Sequence, residues 1–129
     1  MMHYFRIIFS LLGVLCSLLF GNLDGLLLTL IIFTSIDYAS GVIAAIIKKK
    51  LNSTTGYKGL LKKMLIYCIV SCAYLLDMYI LKQGSVLRSA VIFYYVANEG
   101  ISIIENLSRC GVPVPKKLKD VLEQLKKEG

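Results

Sequence analysis

The sequence predicts an all-α integral membrane protein with about four transmembrane helices, three being the alternative count, and a short amphipathic C-terminal helix. Three observations carry that prediction. The chain is 57% hydrophobic with a mean hydropathy of +0.70, too apolar for an ordinary globular surface. Its apolar residues fall into runs near the roughly 20 residues that a helix needs to cross about 30 Å of hydrocarbon. Its charge is clustered: fifteen Lys and Arg against eight Asp and Glu give a net charge of +7, and the basic residues punctuate the apolar runs. One broad basic face would suit nucleic acid. Basic loops between oily runs suit a lipid bilayer, because short lysine-rich loops stay on the cytoplasmic side.

Residues 4–20 form the first expected span, read as uncleaved because no small-residue cleavage site follows the run. Gly13, Ser17 and Gly21 recur at four-residue spacing and give it one small-residue face. Residues 21–25, Gly-Asn-Leu-Asp-Gly, read as a turn without positive charge, as an outside loop would be. Residues 26–47 are the clearest span. Asp37 lies near its middle, where a carboxylate costs roughly 2.5–3.5 kcal/mol on insertion scales. It is therefore expected to face other helices or water. Gly41 and Ala45 share its face, which makes a candidate helix-association surface or lumen lining with a buried carboxylate.

Residues 48–63 carry six lysines and no acidic residue. They are expected to form a cytoplasmic loop that sets the topology, with Lys48, Lys49, Lys50, Lys62 and Lys63 at the membrane surface. The sequon at Asn52 is accordingly not expected to be glycosylated. Residues 64–81 are the third expected span, with Asp77 towards its outer end. Residues 89–104 are the fourth, carrying Asn98 and Glu99. Ser102 and Asn106 follow Glu99 on one polar stripe. Asp77, Asn98, Glu99 and Ser102 join Asp37 as candidate association or lumen residues.

The transmembrane domain is expected over residues 1–108 and a basic cytoplasmic tail over residues 109–129. In the tail, Pro113 and Pro115 stiffen the exit. Leu118, Val121, Leu122 and Leu125 then form one apolar stripe ringed by lysines, Lys116, Lys117 and Lys119 among them. Such a helix can lie on the inner membrane surface, pack against a partner tail, or stand solvated. With four crossings and both termini inside, every basic residue except Lys82 and Arg88 lies on the cytoplasmic side. Three crossings with an outside N-terminus satisfy the count nearly as well.

No nucleophile motif, phosphate-cradling glycine loop or metal-ligand spacing is present, so neither an enzyme nor a cofactor is expected. The four cysteines, Cys16, Cys68, Cys72 and Cys110, read as free thiols.

Several blocks in order resemble a known family. They are Asp37 with Gly41; Leu51-Asn52-Ser53, Gly56, Gly59 and Lys62-Lys63; Asn98-Glu99-Gly100-Ile101-Ser102-Ile103 with Asn106; and Gly111-Val112-Pro113-Val114-Pro115-Lys116-Lys117-Leu118. Across residues 26–125 the chain resembles the phage lysis and toxin-secretion holins of Gram-positive bacteria and their phages. The resemblance implies a homo-oligomer that gathers in the cytoplasmic membrane and opens lesions for an endolysin or a large toxin. It carries motif positions and no catalytic roles. The rival readings are a small four-span transporter or ion channel, and a membrane scaffold whose tail recruits a partner. A dimeric multidrug exporter would resemble chains with an acidic residue in the first span, and this first span has none.

Overall fold

A computed structural model describes residues 1–128, and every regular element in it is helical. In chain order these are α1 (Met2–Phe20), α2 (Gly25–Ile47), α3 (Ser53–Leu75, prolonged by a π-helical turn, Leu76–Leu81), α4 (Val86–Arg109) and α5 (Lys116–Glu128). The helices α1, α2 and α3 with its π turn are long and apolar enough to cross a membrane. The predicted all-α membrane architecture is thus what the chain adopts. At 1.5 Å per residue α4 is also of spanning length, about 36 Å. It carries Arg88, Glu99, Glu105 and Arg109, and so reads as amphipathic.

The basic stretch is only half a loop. Asn52 accepts a hydrogen bond from the Thr54 amide at 2.9 Å and starts α3 at Ser53, eleven residues before the apolar run. Lysine is a good helix former, and an N-cap asparagine outweighs the polar composition that follows it. The true linker is short. Lys49 takes the left-handed conformation at φ 55° and ends α2 beside the exposed Lys48 and Lys50. The other turns are built as locally. Asp24 caps α2 by accepting from the Leu27 amide at 2.9 Å. Gly21 closes α1 at φ 79°, where a Cβ would stand 2.8 Å from the Tyr74 ring. Only glycine meets both demands there.

The helix α4 is central, packing on α2, α3 and α5, while α1 rests against α3. The core is small and apolar: Leu30, Val70 and Ile92, one from each of α2, α3 and α4, are wholly enclosed, with Leu27, Ile66 and Val96 around them. All along α1, and on the outer faces of α2 and α3, large apolar side chains are exposed. In water that surface would drive aggregation, and in lipid it is ordinary. Lipid tails are as apolar as these side chains, so close packing and polar contacts must hold the helices to one another.

The tail helix is not free. α5 folds back along α4 and buries Leu122 to 6% exposure. Gly100 makes the room: a Cβ there would lie 2.8 Å from a Leu122 methyl and 3.2 Å from the Phe33 ring. Leu118 and Val121 of the same stripe stay exposed. Part of the expected stripe is thus satisfied within the chain, and Lys116, Lys117 and Lys119 ring a docked helix.

Candidate functional site

Two polar groups lie inside the apolar bundle, one near each end. The first gathers around Lys63. Its Nζ stands 2.6 Å from Asp37 Oδ2 and 2.7 Å from Glu99 Oε2, so one cation bridges carboxylates of α2 and α4. Asn106 donates from Nδ2 to Asp37 Oδ1 at 2.9 Å, to the Asp37 carbonyl at 3.1 Å and to Ser40 Oγ at 3.0 Å. Ser40 in turn donates to the Asp37 carbonyl. Arg109 donates to Asn106 Oδ1 and so joins the edge of the network. About one turn along α2, Thr34 and Tyr67 share a hydrogen bond of 2.7 Å. A charge taken out of water is tolerated only when paired and hydrogen-bonded, and Asp37 and Glu99 are both.

Spacing explains this convergence. Gly56, Gly59 and Lys63 lie at i, i+3 and i+7 on α3, so the lysine shares a face with the two glycines. Glu99, Ser102 and Asn106 take the same spacing on α4. The glycine face borders a cavity of about 380 Å³ that Asp37, Lys63, Ser102 and Asn106 also line.

The second group gathers around Arg88, whose side chain is 4% exposed. Its guanidinium takes Asp24 in a two-pronged contact, Nη1 to Oδ2 at 2.8 Å and Nη2 to Oδ1 at 3.2 Å. Nε donates to the Phe20 carbonyl at 2.8 Å and Nη2 to the Asn22 carbonyl at 3.1 Å. One side chain thus ties the end of α1 and the α1–α2 turn to the start of α4. The guanidinium holds the Asp24 carboxyl below its ordinary range. Beside it, Asp77 accepts from the Leu87 and Arg88 amides at 3.1 and 2.7 Å. It supplies from another helix the cap that Ser85 does not provide.

The predicted residues sort accordingly. Asp37, Glu99 and Ser102 come together, while Asp77 belongs to the opposite end. Asn98 is half-buried and belongs to neither group. Gly41 and Ala45 line the cavity, and a Cβ on Gly41 would meet Asn106 at 3.5 Å. The face expected to associate with other chains is therefore covered in part by α4 of the same chain. Lys48, Lys49, Lys50 and Lys62 are exposed, whereas the helix turns Lys63 inward onto two acids and away from the surface. The charge pattern marks Arg88 only as a basic residue on the outer side, whereas the structure pairs it with Asp24. The clue available in sequence was an Asp just before the second apolar run and an Arg just before the fourth. Among the described residues, no cluster of His, Cys, Asp or Glu is placed to hold a metal ion.

Comparison with known proteins gives this arrangement its context. A family model described as the bacteriophage holin family matches residues 14–127. An uncharacterized 14.9 kDa protein in the nagH 3′ region of Clostridium perfringens is 41% identical, over 88% of this chain and 86% of its own length. An uncharacterized protein of Listeria monocytogenes is 42% identical over 85% of this chain and 78% of its own. A protein of Bacillus phage phi105 named a probable holin is 36% identical over 94% of this chain and 88% of its own. No solved structure matches. The family match runs through the helices that supply both polar groups, from before Phe20 to beyond Asn106, and the chain belongs to the bacteriophage holin family.

Proposed function

We propose that the protein is a holin in action as well as in family: it oligomerises in the cytoplasmic membrane and opens lesions through which an endolysin or a large toxin leaves the cell. The observation that carries this reading is the polar group of Asp37, Lys63, Glu99 and Asn106, enclosed by helices whose outer surfaces are apolar. In a single chain these side chains satisfy one another. In an assembly whose helices have separated, the same side chains face water and line a lumen. Because α4 covers the Asp37 face, assembly through that face requires α4 to move away. The orientation that suits this function has four crossings with both termini inside, which puts the lysine run on the cytoplasmic side.

Induced expression in a bacterium, with and without a cytoplasmic peptidoglycan hydrolase, tests the reading. Growth, membrane potential and release of a large cytoplasmic reporter are followed in time. A lag, then abrupt arrest and loss of potential, with lysis only when the hydrolase is present, is the expected course. Continued growth with an intact potential sinks the proposal and moves the weight to a transporter or scaffold.

A further inference from the structure

The cavity beside Lys63 has features that neither helix packing nor lesion formation uses. It lies at the end of the bundle that carries the lysine run, between the C-terminal half of α2, the first turns of α3 and the end of α4. Its volume, about 380 Å³, is in the range of small-molecule sites. Its exposed wall is more apolar than polar, with the small residues Gly41, Ala45 and Gly59 beside Tyr38, Val42 and Leu51, although Asn52, Thr55, Ser102 and Asn106 also line it. A Cβ on Gly59 would meet nothing within 4 Å, so this glycine faces empty space and is not holding a neighbouring helix close. The charge on the wall is unbalanced. Asp37 and Glu99 share Lys63, and Arg109 donates to Asn106 Oδ1, but neither Lys50 nor Arg109 forms an ion pair among the described residues.

We propose that this cavity binds an anionic phospholipid, its phosphate held by Lys50 and Arg109 and the start of its acyl region laid over the Gly41–Gly59 wall. A wall that joins apolar surface to two cations without ion pairs, at the end of the bundle that carries the lysine run, is complementary to a molecule that changes from anion to hydrocarbon over a few ångströms. A guanidinium suits phosphate oxygens because it presents paired donors. A soluble anion would use the two cations and leave the apolar surface bare. A neutral lipid would use the apolar surface and leave Lys50 and Arg109 without an anionic partner. The inference rests on membrane placement but not on lesion formation, and its test involves no lysis.

The full-length protein in a neutral detergent is titrated with phosphatidylglycerol, phosphatidylcholine or inorganic phosphate. Retained lipid is read by native mass spectrometry and by the shift in melting temperature. Phosphatidylglycerol is expected to bind and to raise the melting temperature, with the other two ligands at least about tenfold weaker. Arg109→Gln with Lys50→Gln weakens it by about tenfold or more, the size of one lost charge-assisted hydrogen bond. Gly59→Leu fills the space and blocks binding, and it should fold because leucine is the better helix former. If it does not fold, the charge variant still decides. Lys126→Gln with Lys127→Gln, which removes the same charge from the exposed end of α5, leaves binding unchanged. Equal binding of phosphatidylcholine or of phosphate, unchanged binding in Arg109→Gln with Lys50→Gln, or equal loss in the tail variant overturns the proposal.

Discussion

Lys63 is the side chain on which the polar interior depends, since it alone answers two carboxylates drawn from different helices. Removing one partner of a buried pair costs far more than removing the whole set, because the remaining charge stays desolvated. Lys63→Met should therefore lower unfolding free energy in detergent by about 3–5 kcal/mol. The combination Lys63→Met, Asp37→Asn and Glu99→Gln should recover most of that loss. Denaturant titration of the single and combined variants checks it, and additive losses would count against the network. The Arg88–Asp24 contact makes a second prediction, about acid. Arg88 depresses the Asp24 carboxyl, so the contribution of the pair is present above the ordinary carboxylate value and lost as pH falls through the lowered one. Asp24→Asn keeps an N-cap and abolishes the charge. Melting curves between neutral and strongly acidic pH should show the wild type losing its advantage over Asp24→Asn in the acid range only. An advantage that persists unchanged into strong acid would show that the charge contributes nothing.

At the scale of the element, the two ends of α4 are held by residues outside it. Asp77 caps its first turn from the π turn after α3, and α5 lies along its second half. Gly100→Leu should push Leu122 off its seat and release α5. Limited trypsin digestion should then cut faster at Lys116, Lys117 and Lys119, while the α2–α4 contact adjusts at Phe33. Digestion at the wild-type rate would mean that α5 repacks around the larger side chain. The elements themselves were largely legible, because apolar runs of spanning length leave little choice in lipid. What composition hid was the start of α3. Asn52 and the glycine face begin a helix inside the lysine-rich stretch, and a lysine on the inner face of that helix reads, by charge alone, like its solvated neighbours. Candidate site residues were visible one at a time as costly charges. Their pairing was not visible, since it depends on which faces of α2, α3 and α4 meet, and charge alone cannot tell Lys63 from its solvated neighbours or pair Arg88 with Asp24.

For the whole molecule, function depends on how many times the chain crosses. Length and apolarity mark three helices as able to span, while α4 is long enough but amphipathic. Its buried face carries Arg88, Glu99 and Asn106, each answered by another helix, whereas Val86, Phe93 and Tyr94 point outward. Over residues 86–104 the charged side chains are hidden against partners, and the exposed Glu105, Ser108 and Arg109 fall at its C-terminal end, where a crossing helix would meet the cytoplasmic surface. We therefore expect α4 to cross, with the α3–α4 turn outside and both the lysine run and α5 inside. Single cysteines placed at Gln83, Lys49 or Lys127, in a chain with its four native cysteines replaced, test this in intact cells. A membrane-impermeant maleimide should label the Gln83 position directly, and the Lys49 and Lys127 positions only after permeabilisation. Labelling of the Lys127 position from outside would mean that α4 does not cross. Its charged face would then lie at the membrane surface, and the polar group around Lys63 would sit at the rim of the hydrocarbon, where it could not line a hole.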